Sequence, residues 1–190
     1  FPNLPKEKQV DALWDAIFKA TRSDLDNPVE AWTKHNDTLH EKVHYLNAKK
    51  YAKLHYTAPG TDLTIELPKG HLWCGAGSVN EKGEEFMANM PTEEVFTVPH
   101  KDGVNGYVSS TKPLSYGGNI IDNFKITFEN GRITKVEAEQ GEEVLKNLVA
   151  TDEGSHRLGE VALVPHDSPI SNSGLLFYNT LFDENASNHL

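Results

Sequence analysis

The clearest structural signal of this chain is the stretch Phe124-Lys125-Ile126-Thr127-Phe128-Glu129-Asn130-Gly131-Arg132-Ile133-Thr134-Lys135-Val136. Apolar residues recur on both sides of the Asn130-Gly131 pair, as expected for two strands. Asn and Gly tolerate the positive φ angles that a two-residue hairpin turn requires. The stretch therefore predicts a β-hairpin inside a strand-rich region.

Further strands are predicted on both sides of this hairpin. Residues 63–67 alternate between apolar and polar side chains, and residues 95–98 form a short apolar run that Pro99 ends. Residues 158–164 form another apolar run before a proline. A helix is predicted over residues 141–150, because its apolar residues recur with helical spacing.

Two amphipathic helices are predicted before residue 50. The first covers residues 6–22, and the second begins with Asn27 as N-cap and Pro28 at its first position. The first helix has its apolar residues at helical spacing, namely Val10, Leu13, Trp14, Ile17 and Phe18. Helices followed by strands with a late helix indicate an α+β fold, with a helical segment over residues 1–50 and a mixed-sheet region over residues 51–190.

Composition excludes several classes of function. The net charge of −10 argues against a nucleic-acid partner, which would require a basic face. No stretch approaches the roughly 18 consecutive apolar residues of a membrane span. Cys74 is the only cysteine, so neither a disulfide framework nor a Cys-rich zinc site can form. Together with the lack of a recognisable secretory signal, this predicts a cytoplasmic protein.

A His-Glu-x-x-His motif lies on the second predicted helix, as His40-Glu41-Lys42-Val43-His44. Two His at i and i+4 share a helix face and can bind zinc, while the Glu serves as general base. Against a zinc site, Lys42 is charged and the motif lies at the edge of the apolar stripe. We therefore interpret the motif as a solvated helix edge, with a zincin-like endopeptidase as an alternative.

Carboxylates in two predicted strands need a charged or hydrogen-bonding partner. Glu94 shares a face with Phe96 and Val98, which is more apolar than the face that Glu93 shares with Val95 and Thr97. A carboxylate on an apolar face is costly unless a cation or hydrogen bonds meet it. Glu160 lies within the other apolar run, where a salt bridge to Arg157, a metal ion or a raised pKa would explain it.

A third carboxylate and an imidazole stand near residue 190, at Glu184 and His189. Five residues of helix correspond to about 140° of rotation, so these side chains would not share a helix face. The segment must turn between them if both bind one centre, and Asp183, Asn185 and Asn188 are turn-forming residues. Several carboxylates with one His suit a pair of divalent metal ions.

Five strings of residues together resemble the thermophilic-type metalloaminopeptidases of peptidase family M29. They follow one another in the family's order between about residue 53 and residue 190. The strings are Tyr56-Thr57-Ala58-Pro59-Gly60-Thr61-Asp62-Leu63, Asn89-Met90-Pro91-Thr92-Glu93-Glu94-Val95-Phe96-Thr97-Val98-Pro99, Leu158-Gly159-Glu160-Val161-Ala162-Leu163-Val164-Pro165, Ser168-Pro169-Ile170-Ser171 and Leu181-Phe182-Asp183-Glu184-Asn185-Ala186.

The resemblance implies a cytosolic, homodimeric exopeptidase that removes N-terminal amino acids from peptides with a free N-terminus. It implies two divalent metal ions, zinc or cobalt first and magnesium or manganese as alternatives, held by Glu94, Glu160, Glu184 and His189, with Glu160 bridging them. Further ligands, a His-x-Asp pair, and an active-site Tyr would follow His189. We therefore expect residues 51–190 to be a partial catalytic domain truncated at its C-terminus, and residues 1–50 to be the end of an N-terminal domain or inter-domain helices.

Other functions stay open at this point. One is the zincin-like endopeptidase that uses His40, Glu41 and His44. Another is a chain that folds, binds metal weakly or dimerises without catalysis. A two-carboxylate glycosidase would leave His189 without a role. The sequence leaves open the general base, the preferred N-terminal residue, the native metal and the dimer surface.

Overall fold

A computed structural model describes all of residues 1–190. The helices are α1 (Lys6–Ala20), α2 (Pro28–Lys49), α3 (Glu142–Val149), α4 (Pro169–Ser173) and α5 (Thr180–Glu184), with a short 3-10 turn at Gly154–His156. The strands are β1 (Lys53–Ala58), β2 (Thr61–Glu66), β3 (Cys74–Gly75), β4 (Ser78–Val79), β5 (Glu85–Phe86), β6 (Val95–Thr97), β7 (Val104–Ser109), β8 (Leu114–Tyr116), β9 (Asn119–Glu129), β10 (Arg132–Gln140) and β11 (Val161–Leu163). The predicted α+β class is confirmed.

Local sequence signals account for the helix boundaries. The Asn27 side chain accepts a hydrogen bond from the Glu30 backbone N–H at 3.2 Å, and Pro28 occupies the first position of α2. Helix α2 ends where Lys50 takes the left-handed conformation. Helix α3 begins after Gly141, as the apolar spacing predicts. No helix combines the length and apolar character that crossing a bilayer requires.

Two antiparallel sheets form the strand-rich region. The larger has the order β1-β2-β7-β9-β10, and β8 pairs with one end of β9. The smaller has the order β11-β6-β3, and a separate two-stranded ribbon joins β4 to β5. All strand pairs are antiparallel. The smaller sheet is the one that positions the candidate site.

The predicted hairpin is the β9–β10 pair, in which Glu129 faces Arg132 across the turn. Asn130 and Gly131 both have positive φ, at 48° and 78°. A Cβ at residue 131 would lie 1.8 Å from the carbonyl oxygen of Lys101, so only glycine fits. The turn therefore also serves as a docking point for the loop before β7.

Replacing Gly131 with alanine is expected to lower the free energy of unfolding by about 2–4 kcal/mol, from the left-handed conformation and the forced backbone shift. Gly118→Ala is the matched control, because Gly118 has φ of 77° but no atom within 4 Å of the added Cβ. It should cost only about 1–2 kcal/mol. Urea denaturation measures both, and equal losses would contradict the close approach to Lys101.

One core joins α2 to both sheets. It comprises Leu39, Leu63, Ile65, Leu67, Trp73, Val95, Val104, Phe128 and Val161. A second, smaller cluster packs Ala20 of α1 against Ile170 of α4 and Ala186 after α5. The boundary near residue 50 stays a prediction, and Leu39 from the segment before it belongs to the same core as the strands.

The helix predicted over residues 6–22 is present as α1, but its apolar face is not buried in this chain. Val10, Leu13, Trp14 and Phe18 are all exposed, and only Ala20 is fully buried. The reason is that α1 packs mainly against α4, and its buried contact is made by Ala20 at the end of the helix. Amphipathic periodicity thus predicts that a helix forms, but it does not predict which element packs on the apolar face of that helix.

Candidate metal centre

Glu94, Glu160 and His189 converge on one point. The Nε2 atom of His189 lies 2.9 Å from Oε2 of Glu94 and 3.3 Å from Oε1 of Glu160. One potential ligand atom from each residue lies within 4.8 Å of the other two. This is the one group of three or more His, Cys, Asp or Glu side chains in the chain that meets this distance.

The smaller sheet brings the two carboxylates together. Glu94 directly precedes β6, and Glu160 directly precedes β11. Because β6 and β11 are antiparallel, with Ala162 opposite Phe96, the two Glu residues stand at opposite ends of the paired strands. From these two ends, both carboxylates lie within reach of the His189 ring.

His189 reaches the same point through a backbone bridge. Its N–H and C=O both pair with Ala162, at 3.3 and 2.9 Å. The Asn188 side chain accepts the Val164 N–H at 2.7 Å, which fixes the register of this bridge. Side-chain carboxylate oxygens of Asp183 accept the N–H groups of Phe177 and Asn179, so the preceding turn is also held.

Glu184 lies beside this group and not within it. It is the last residue of α5, the chain turns over residues 185–188, and His189 follows. The turn expected between Glu184 and His189 is therefore present. Glu184 is partly buried, and its carboxylate is close enough to interact electrostatically with Glu94, Glu160 and His189.

The ring of His189 is oriented by its other nitrogen. Nδ1 lies 3.1 Å from the carbonyl oxygen of Ser187, and since a carbonyl can only accept, Nδ1 must carry a proton and donate. Metal-binding imidazoles commonly donate their second N–H in this way, which leaves the other nitrogen available. Nε2 is then the atom that faces the two carboxylates.

The carboxylate oxygens and the imidazole nitrogen of this group are arranged as ligands of a metal ion rather than as hydrogen-bond partners of one another. Oε2 of Glu94 and Nε2 of His189 are buried and 2.9 Å apart, yet neither atom has a hydrogen-bond partner. Buried polar atoms are almost always satisfied, so two such atoms aimed at one region need a common partner. Two carboxylates and one imidazole are suitable ligands for zinc and related divalent ions.

Burial and neighbouring charges shift the pKa values of Glu160, Glu184 and His189. Burial raises the pKa of Glu160, and the nearby charge of Glu94 raises it further against the opposing effect of His189. Burial likewise raises the pKa of Glu184. Burial lowers the pKa of His189, but the contacts with Glu94 and the Ser187 carbonyl and the charge of Glu184 outweigh it and raise that pKa to about 9. A proton on His189 thus partly neutralises the carboxylates in the metal-free chain.

Alternation distinguished the faces that carry Glu93 and Glu94 without indicating which face is buried, and the structure buries both carboxylates. Glu93, Val95 and Thr97 are nearly inaccessible, whereas Val98 on the more apolar face is 53% exposed. Glu93 is the carboxylate with the cationic partner, because Arg22 binds both of its oxygens. Glu94 has no Arg or Lys partner and meets His189 instead.

The expectation for Glu160 needs correction. Strand β11 spans only Val161–Leu163, so Glu160 precedes it and its side chain is 40% exposed. Arg157 does not pair with Glu160. It donates to Asp102 at 2.9 Å and to the Lys101 carbonyl at 2.7 Å, since the chain before β11 lies against that loop.

The His-Glu-x-x-His motif forms no site in this structure. Its residues lie on α2, where Glu41 and His44 are exposed. The His40 and His44 rings are 6.4 Å apart, and no third His, Cys, Asp or Glu ligand converges on them. The solvated helix edge is therefore the interpretation that the structure supports.

A model of the thermophilic metalloprotease family (M29) matches residues 1–190, which is the entire chain. The chain belongs to the thermophilic metalloprotease M29 family. Aminopeptidase AmpS of Bacillus subtilis (strain 168) is 70% identical over 190 residues, which are 100% of this chain and 46% of that protein. Aminopeptidase T of Thermus thermophilus is 52% identical over 190 residues, 100% of this chain and 47% of that protein.

A solved M29 structure agrees with the fold. The structure titled wild-type AmpT from Thermus thermophilus superposes with a TM-score of 0.93 at 51% identity, covering 99% of this chain and 46% of that one. The resemblance of the five sequence strings to this family is thereby confirmed. The chain spans slightly less than half the length of these relatives, at 46–47%.

Sequence reasoning missed the residues that support the centre. Arg22, His35 and Asn185 surround Glu93, and none of them was singled out as a functional residue. Arg22 and Glu93 are 71 residues apart, and no periodic pattern links them. The only available signal was the expectation that a buried Glu in this strand would need an Arg or Lys.

Proposed function

We propose that this chain supplies Glu94, Glu160, Glu184 and His189 to the dinuclear metal centre of an aminopeptidase that removes N-terminal amino acids from peptides. The observation that carries the proposal is the convergence of Glu94, Glu160 and His189, two of which present buried atoms without a hydrogen-bond partner. Membership of the M29 family and the aminopeptidase names of its relatives support the reaction type.

The chemistry follows from the ligands. Divalent metal ions held there would polarise the scissile carbonyl and lower the pKa of a bound water. Glu94 and His189 are largely buried and provide the rigid side of the centre. Glu160 is more exposed than either of them, at 40% of its side chain. Glu184 adds negative charge beside them, as the fourth proposed ligand.

The same charges favour an exopeptidase. A peptide's free N-terminus carries a positive charge that Glu160 or Glu184 can attract, whereas an internal peptide bond offers no such charge. Zinc or cobalt suits the mixture of imidazole and carboxylates, and magnesium or manganese would rely on the carboxylates alone. Cytoplasmic location and homodimer formation are proposed from the family resemblance, and the single cysteine agrees with a reducing compartment.

The direct test is a calorimetric zinc titration of the metal-free chain, with anomalous scattering at the zinc edge to locate the ions. We expect zinc beside Glu94, Glu160 and His189, and unchanged binding in His40→Ala. Zinc binding that is lost in His40→Ala would instead favour the zincin-like endopeptidase. Fewer than two tight sites would contradict independent dinuclear catalysis by this chain.

Cleavage is tested separately with an aminoacyl nitroanilide. If the zinc-loaded chain is a complete aminopeptidase, it should release the free amino acid and leave the N-acetylated substrate intact. Cleavage of both substrates would contradict an exopeptidase. Zinc binding without cleavage would show that the 190 residues hold metal but are not sufficient for the reaction.

Zinc affinity should depend on pH through His189. Its pKa of about 9 means that the imidazole is protonated below that pH, and a metal ion must displace the proton. Apparent affinity is therefore expected to rise about tenfold per pH unit from about pH 7 and to level near pH 9. Titrations at pH 7, 8 and 9 check this, and a plateau already at pH 7 would contradict the raised pKa.

A further inference from the structure

A buried ion pair lies directly behind the candidate centre. Glu93 is 1% exposed and precedes Glu94 in the chain. Both of its carboxylate oxygens bind the Arg22 guanidinium, with Nη2 to Oε2 at 2.9 Å, in the two-pronged arrangement that also fixes orientation. Nε2 of His35 lies 3.5 Å from Oε2 of the same carboxylate.

The Glu93 backbone joins this ion pair to the segment that carries His189. Its N–H donates to the Asn185 side-chain oxygen at 2.7 Å, and Asn185 is fully buried. The Asn185 amide N–H in turn donates to the Leu181 carbonyl at 2.9 Å, so its orientation is fixed by α5. Glu93 is thus held through its carboxylate on one side and its backbone on the other.

Arg22 is itself immobilised by the turn between α1 and α2. Its guanidinium lies 5.6 Å from the centroid of the Trp32 ring. The Trp32 ring N–H donates to the Thr21 carbonyl at 2.6 Å. His35, one turn further along α2, contacts the Thr92 carbonyl through Nε2 at 2.7 Å. The helical segment therefore contacts residues 92 and 93, just before β6, through Arg22 and His35.

We propose that the Arg22–Glu93 ion pair, together with Asn185, positions the metal centre by holding the Glu94 backbone in register with the segment that ends at His189. The inference rests on the proposed metal-binding function. Arg22 and Glu93 are positioning residues, since neither is among the converging ligands. In this role the pair determines how well Glu94 and His189 are preorganised for one ion.

Energetics favour a geometric role over a stabilising one. An ion pair this deeply buried loses hydration that its mutual attraction only partly restores, so apolar residues of similar size often stabilise a fold equally well. Apolar residues cannot, however, reproduce the fixed fork between Arg22 and Glu93. The two roles can therefore be separated by replacing both residues at once.

The test compares zinc affinity and thermal midpoint in the wild-type chain and in the double variant Arg22→Met/Glu93→Leu. We expect the double variant to keep a thermal midpoint near that of wild type but to bind zinc about 10- to 100-fold more weakly, as found when outer-shell partners of metal ligands are removed. The visible spectrum of the cobalt-loaded chain should also change, because it reports the geometry of the ligands.

The matched control is Arg132→Met/Glu153→Leu, which removes an exposed Arg–Glu pair and should change neither zinc affinity nor the cobalt spectrum. Should the double variant fail to fold, Arg22→Lys is the alternative. It keeps the positive charge but loses the two-pronged hydrogen bonding to Glu93, and it is also expected to weaken zinc binding. The inference would be overturned if the folded double variant had the zinc affinity and the cobalt spectrum of the wild-type chain. If only Arg22→Lys folds, the same result in that variant would overturn it. In either case the proposed metal-binding function would still stand. Absence of zinc binding by the wild-type chain would overturn the proposed function and the inference together.

Discussion

Replacing His189 with alanine is expected to weaken zinc binding by more than about 100-fold. His189 provides the only nitrogen ligand of the converging group, and its Nε2 lies between Glu94 and Glu160. Loss of an outer-shell partner alone costs about 10- to 100-fold in metal affinity, and loss of a direct ligand should cost more. Calorimetric titration of zinc at pH 8 measures the difference.

The control for His189→Ala is His44→Ala, which removes an exposed imidazole from the His-Glu-x-x-His motif. It should leave zinc affinity within about twofold of wild type. Glu160→Gln should also weaken binding, since it keeps the shape of the side chain and removes the charge. Similar losses in His189→Ala and His44→Ala would point to nonspecific zinc binding and contradict the candidate centre.

Replacing Arg22 alone with methionine is expected to lower the free energy of unfolding by about 3–5 kcal/mol, which is typical when one partner of a buried ion pair is removed. The reason is that Glu93 would remain buried, at 1% exposure, without its cation. Urea denaturation at pH 7 measures the loss. The Arg22→Met/Glu93→Leu variant should recover most of it, because no charge is then left uncompensated.

Arg132→Met is the matched single replacement for this experiment. Arg132 and Glu153 form an exposed pair, which contributes at most about 1 kcal/mol. A loss of similar size in Arg22→Met and Arg132→Met would mean that water reaches Glu93 and that its burial is not maintained in solution. The same result would weaken the case for a rigid support behind Glu94.

The fold was predictable where neighbouring residues determine the conformation. The Asn130-Gly131 turn follows from two residues that accept positive φ, and the start of α2 follows from the Asn27 cap. The exposed stripe of α1 shows where this reasoning ends, because periodicity identifies an apolar face without identifying what covers it.

The candidate site was predictable only in part. The resemblance to the M29 family implies Glu94, Glu160, Glu184 and His189 as ligands, and Glu94, Glu160 and His189 converge in the structure. Their roles as metal ligands stay a prediction. Strand alternation identified two faces around Glu93 and Glu94 but not which face is buried, since burial depends on the rest of the fold.

Residue order alone thus specifies the helices, the hairpin and the family of this chain, because caps, turns and periodic patterns act over a few residues. Tertiary structure decides that Glu93 faces Arg22 while Glu94 faces His189, which are contacts between residues far apart in the chain. It also pairs His189 with Ala162 through one backbone bridge. Such contacts depend on which strands pair and on which charged groups lie next to one another once they are buried. A pattern over a few neighbouring residues does not determine either.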